Sequence, residues 1–147
     1  MRLSDSELER VATKFRTELE EYCASTHYPT LERFPNGACG DAVLLLGTYL
    51  FEIGEAPFDK VCGLRGAAEE GKELPSHAWF ERDDLIIDIT ADQFEDMDEK
   101  VIIRRGSEWH KGWRFRSREA SYLAAYEHDG SDQLRPVYGV IKEMMGT

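Results

Sequence analysis

The stretch Ala42–Ile53 constrains this chain more than any other. Its apolar residues Val43, Leu44, Leu45, Leu46, Tyr49, Leu50, Phe51 and Ile53 surround a helix axis instead of forming one stripe. A helix that is apolar on most sides has to lie in the middle of a fold. Cys39–Ile53 reads as that helix, with Gly54 as its C-terminal stop. The chain enters it through Phe34-Pro35-Asn36-Gly37-Ala38-Cys39-Gly40-Asp41, a run of turn formers. Cys39 therefore stands at a loop-to-helix junction, where the positive end of the helix dipole favours a thiolate.

Length and composition suit one domain over residues 1–147, with enough apolar side chains for a proper core. The net charge of -11 repels a phosphate backbone, so no nucleic-acid partner is expected. The one basic stretch, Arg104 to Arg118, carries Trp109, Trp113 and Phe115. It could hold RNA or another anion, but a strand and loop with a solvated face accounts for it. No apolar run is long enough to span a bilayer, and Met1–Asp5 has no signal-peptide core. A cytoplasmic protein with no membrane partner is expected. The cysteines are Cys23, Cys39 and Cys62. An odd count without paired spacing predicts reduced thiols, no zinc ribbon and no cofactor.

Ser4–Ala24 reads as an amphipathic helix through Leu8, Val11, Phe15, Leu19 and Tyr22. Phe58–Leu64 and Val101–Arg104 read as strands, and Gly66–Pro75 as a polar loop. Ser76–Glu81 and Leu85–Thr90 read as a hairpin around Asp83-Asp84. Ser117–Glu127 and Asp132–Met145 read as helices, the second weakened by Pro136 and Gly139. The class is α+β: a buried helix on an antiparallel sheet, with further helices at both ends.

The hairpin brings a candidate site together. With Asp83-Asp84 as a two-residue loop, Arg82 pairs with Leu85, Trp79 faces Asp88 and His77 faces Thr90. His77 and Asp88 then share a face as diagonal neighbours, about 7–8 Å apart at the backbone. A loop one residue longer would put them on opposite faces. Cys39, His77 and Asp88 stand in the order of a nucleophile, its base and an orienting carboxylate. The Cys39 N–H lies where an oxyanion would be met. Asn36, Trp79 and Gln93 are candidates for the substrate pocket, Trp79 by walling the histidine.

These residues resemble the papain-like fold in its transglutaminase-like and arylamine acetyltransferase-like branch. The resemblance rests on Phe34–Gly40, Ser76-His77-Ala78-Trp79 and Asp88–Phe94, the middle of the chain. It implies Cys39 as nucleophile, His77 as base, Asp88 as orienter, and thioester-forming chemistry on an amide or related carbonyl. The first helix and the C-terminal third carry no such likeness.

Hydrolysis of a peptide, isopeptide or side-chain amide is the activity expected first, with a peptide, protein or small amide as substrate. Acyl transfer to an amine is the alternative, as is a non-catalytic module using the same cleft. An acyl-CoA-dependent transferase would need Arg104–Arg118 as its phosphate pocket. Cys23 and Cys62 read as small buried hydrophobes. His27, His110 and His128 read as surface residues, and the acidic run Asp92, Glu95, Asp96, Asp98 and Glu99 as a solvated loop. Zinc on Cys39, His77 and Asp88 lacks a close ligand pair to anchor it. The oligomeric state is open.

Overall fold

A computed structural model describes residues 2–67, 70–71, 73–126 and 134–146. The described residues form four α-helices and a five-stranded antiparallel sheet, an α+β arrangement. Helix α1 spans Asp5–Cys23. It opens on a capping box: Ser4 Oγ accepts from Glu7 N at 3.1 Å while Glu7 Oε1 accepts from Ser4 N at 3.0 Å. Its buried stripe is Leu8, Ala12, Phe15, Leu19 and Cys23; Val11 and Tyr22 lie at the edge of that stripe, half-buried.

Helix α2, Cys39–Glu52, buries every residue from Ala42 to Thr48. Its first turn, Cys39–Asp41, is half-buried, and its C-terminal end reaches water at Phe51, Glu52 and the C-cap Ile53. Gly54 follows with a positive φ of 91°, the left-handed conformation that stops a helix without a Cβ clash. Helix α4, Leu134–Met144, packs Leu134, Val137, Tyr138 and Ile141 onto α1 and α2. Pro136 falls in its first turn, where a missing N–H is harmless. The first part of the helix expected over Asp132–Met145 lies outside the described residues.

The sheet is ordered β4-β3-β2-β1-β5. Its strands are β1 Asp59–Leu64, β2 Ser76–Arg82, β3 Leu85–Asp88, β4 Ile102–Arg105 and β5 Arg114–Ala120. The hairpin register holds: Arg82 pairs with Leu85 and Phe80 with Ile87, around a two-residue turn with Asp83 at φ 58°. One expectation fails. Ser117–Ala120 is strand, paired along β1, with only a short 3-10 turn at Leu123–Tyr126 beyond it. The open edge of β1 offers a ladder of backbone partners, and that outweighs local helical preference.

Strand alternation sorts the side chains into two layers. Ala78, Phe80, Leu85 and Ile87 face the helices and join the main core with α1, α2 and α4. Val61, Trp79 and Ile86 face the other way and pack with Trp113 in a second, aromatic cluster. Helix α3, Glu108–Lys111, lies on that second face.

Candidate functional site

His77 and Asp88 project from β2 and β3 into the aromatic layer, both 1% exposed. His77 Nε2 lies 2.6 Å from Asp88 Oδ2. Helix α2 packs on the opposite face, against Ala78 and Phe80. Cys39 still reaches His77, because β3 ends at Asp88 while β2 runs on toward Ser76. In the gap beyond β3, Cys39 sits near enough to the His77 ring and the Ala78 N–H for both to favour its thiolate. Nε2 is taken by Asp88, so Nδ1 is the nitrogen left for the sulfur.

Asp88 is held from several sides. Its Oδ1 accepts from Thr90 N at 3.0 Å. Its Oδ2 meets His77 Nε2 and also His110 Nε2, at 2.7 Å. His110 is fully buried, against its expected place on the surface, because a buried carboxylate needs every acceptor site filled. Its Nδ1 lies 2.6 Å from Ser107 Oγ, the N-cap of α3. Nothing in the strand pattern marks it. The one available hint is an acid inside the apolar run Leu85–Ile89, which calls for more than one partner. His27 is exposed as expected, and His128 lies outside the described residues.

The electrostatics follow from burial and these contacts. Burial alone would lower the His77 pKa, but the Asp88 charge and hydrogen bond, joined by Cys39, push it up to about 9. Burial alone would raise Asp88, yet the two histidines hold it well below the usual carboxylate range. At Cys39 burial again opposes the charge, and His77 with the Ala78 N–H prevails, so the thiol is lowered. Burial wins at the other cysteines: Cys23 is pushed up to about 12 and Cys62 is raised.

A pH test of the pair follows. His77 is raised, so its contribution to stability is complete below 6.5 and lost as pH climbs through about 9. Cys39 is lowered, so its contribution is complete above 9.0 and lost as pH falls through its folded value. The two slopes oppose each other, since the proton His77 holds is the one Cys39 has released. Between those limits the pair itself is expected to add little pH dependence to the unfolding free energy of the wild type. In Cys39→Ser, where only Asp88 supports the imidazolium, stability should fall more steeply as pH rises. Denaturant melts of both proteins across that range check this; equal slopes would exclude the ion pair.

An aromatic wall covers His77. Its ring lies 5.1 Å from Phe94, 5.4 Å from Trp113, 5.5 Å from Trp79 and 5.7 Å from Trp109. Gly63 pairs with His77 across the sheet. A Cβ there would stand 2.9 Å from Trp113 Cβ, so glycine lets the indole lie over the strand. Trp79 is fully buried with Nε1 on Glu81 at 2.8 Å, which makes it wall and not a substrate contact. Arg65 closes the outside, 4.6 Å over Trp113 and forked onto Asp96 at 2.7 and 3.0 Å.

Gln93 ties the thiol loop to the strand end. Its Oε1 accepts from Gly37 N at 3.2 Å, and its Nε2 donates to Thr90 O at 3.0 Å and lies 3.4 Å from His77 Nδ1. Asn36 is exposed and lines a groove of ≈ 470 Å³ with Pro29, Thr30, Glu32, Arg33 and Gly37. The acidic run is less solvated than its composition predicts. Asp92 is forked by the buried Arg16, which also donates to Ile89 O at 2.6 Å and so fixes the segment carrying Gln93. Asp96 pairs with Arg65 and Glu99 with Arg104. The basic stretch is neutralised too: Arg105 meets Asp5 and Asp84, and Arg118 meets Asp59 and Glu81.

His77, Asp88 and His110 place three ligand atoms within 4.8 Å of one another, a donor set zinc accepts. Their spacing suits protons better. Ligand atoms about 2.0–2.2 Å from a tetrahedral ion stand about 3.4 Å apart, whereas these nitrogens lie 2.6 and 2.7 Å from the carboxylate oxygen. Among the described residues no helix is long and apolar enough to cross a membrane. Comparison with family models, curated proteins and solved structures finds no match to this chain.

Proposed function

We propose that this chain is a cytoplasmic cysteine enzyme of papain-like architecture. It hydrolyses a peptide, isopeptide or side-chain amide through a Cys39 thioester and needs no cofactor. The observation that carries the reading is the buried His77–Asp88 pair, Nε2 to Oδ2 at 2.6 Å, with Cys39 at the start of α2 near enough to His77 to have its thiol lowered by it. His77 takes the thiol proton, and Asp88 stabilises the imidazolium. The thiolate attacks the carbonyl carbon. The oxyanion faces the Cys39 N–H, at a helix start whose N-cap, Ala38, makes no side-chain cap. Collapse breaks the C–N bond, and His77 Nδ1 protonates the leaving amine. Water then gives a proton to His77, adds to the thioester and releases the acid, and Cys39 recovers its proton. An amine in place of water makes the same site an acyltransferase. The groove beside Asn36 is where substrate lies.

Alkylation by iodoacetamide against pH, read for each cysteine by peptide mass spectrometry, tests this in wild type and His77→Ala. A free thiol is only a few per cent thiolate at neutral pH, and His77 favours the thiolate of Cys39, so Cys39 should react more slowly in the variant near neutrality. It should outpace Cys23 and Cys62 only in the wild type. A Cys39 indifferent to His77 would leave the cleft as a binding surface without catalysis.

A further inference from the structure

Asp88 Oδ2 serves two imidazoles at once, His77 Nε2 at 2.6 Å and His110 Nε2 at 2.7 Å. The triad needs only the first. We propose that His110 is a positioning residue of this site: a neutral second imidazole that shares Asp88 with His77 and holds down the proton affinity of His77. This rests on the Cys39–His77 reading above and specifies how that pair is regulated.

The hydrogen-bond network assigns the protons. An ionised carboxylate only accepts, so both Nε2 atoms donate to Asp88. His110 Nδ1 faces Ser107 Oγ at 2.6 Å, and the same oxygen lies 3.4 Å from the His110 backbone N. Ser107 accepts from the backbone N–H and donates its hydroxyl proton to Nδ1, which leaves His110 neutral with its proton on Nε2. Two imidazoliums on one carboxylate in this dry layer would leave an uncompensated buried charge. Among the other polar groups of this layer, Trp113 Nε1 is buried without a hydrogen-bond partner, and the rest are engaged as follows. Cys39 and Gln93 meet His77. Arg116 donates to the His110 carbonyl at 2.6 Å and lies over Trp79. Glu81 is taken by Trp79 and Arg118. Arg65 stands beyond the rings.

Two donors on one oxygen weaken each other. The His110 bond is strongest when His77 is neutral and weakest when His77 is cationic, so it favours the neutral form. The positive end of the His110 N–H dipole also points at the shared oxygen and disfavours the cation. Both effects make the His77 imidazolium a better acid, more ready to protonate a leaving amine. Competition of about 10–30% in a charge-assisted bond amounts to about half a pH unit.

The experiment is an NMR titration of the His77 ring in the full chain, with His77→Ala for assignment. It is repeated in His110→Ala and His110→Gln, whose side-chain amide can reach Asp88 as a donor. In His110→Ala the His77 midpoint should rise by about half a unit, a threefold fall in its acid dissociation constant. His110→Gln should return it toward the wild-type position. A residue that merely fills space would cost stability in both variants and leave the midpoint unmoved. An unmoved or lowered midpoint in folded His110→Ala, or no return with glutamine, overturns the inference while leaving the Cys39–His77 pair intact. If wild-type His77 titrates at its ordinary value and Cys39 alkylation ignores His77, the functional reading falls and this inference falls with it.

Discussion

Asp88→Asn is expected to lower amide turnover by about 10⁴-fold, with Cys39 still in place. Asp88 accepts three N–H groups, from His77, His110 and Thr90. An asparagine offers one carbonyl oxygen, and its NH₂ must face either the two imidazoles or the Thr90 N–H. Turned toward the imidazoles, the NH₂ forces His77 to present a bare Nε2 and to carry its proton on Nδ1. Nδ1 is the atom that has to receive the thiol proton, so the base is lost although the ring stays in place. Turned the other way, it leaves a donor against a donor in a fully buried position. The imidazolium loses its counter-charge in either case, and the His77 pKa drops from about 9. Hydrogen bonds to charged groups contribute about 1.5–3 kcal/mol each, so stability falls by a few kcal/mol as well. Turnover is therefore measured well below the melting temperature, on whichever amide the wild type cleaves. Activity within tenfold of wild type would remove Asp88 from the mechanism.

Gly47→Ala should destabilise the fold by about 3 kcal/mol or more, at the upper end for overpacking. Helix propensity alone gives the opposite sign, because glycine inside a helix costs about 1 kcal/mol relative to alanine. The reversal comes from Ser121. A Cβ on Gly47 would overlap its carbonyl oxygen and stand 2.7 Å from its carbonyl carbon. That backbone has little freedom to retreat. Ser121 Oγ donates to Phe58 O at 2.6 Å, and Leu123 N donates to Thr48 Oγ1 at 2.9 Å. Gly139 is the internal control, since a Cβ there meets nothing within 4 Å and its exposed site on α4 should gain about 1 kcal/mol as alanine. Urea midpoints moving in opposite directions, down by about 1–3 M for Gly47→Ala, are the expected result. A stabilised Gly47→Ala would mean that α2 does not pack against Ser121.

Several features were legible in the residues because they depend on short-range rules. The apolar girdle from Val43 to Ile53 demanded a buried helix, and α2 is one. Asp83-Asp84 between alternating strands set a two-residue turn. That turn alone puts His77 and Asp88 on one face, because strand side chains alternate with period two. The face packed by α2, by contrast, is not written in the helix itself. An all-round apolar helix carries no stripe to orient it, so only assembly places it against Ala78 and Phe80 and leaves Cys39 at the gap beyond β3.

His110 and Arg16 were missed for one reason: each acts through partners far along the chain. Asp88 is 22 residues before His110, and Ile89 is 73 residues after Arg16. No periodicity links such pairs. The strand end at Ser117–Ala120 reads as helix from the sequence because its pairing partner, β1, is distant in the same way. What the sequence determined by itself was the local geometry of a helix start, a hairpin and an acid in an apolar strand. Only the tertiary structure decided which distant groups fill the acceptors of Asp88, because a buried carboxylate takes its donors from whatever elements close over it.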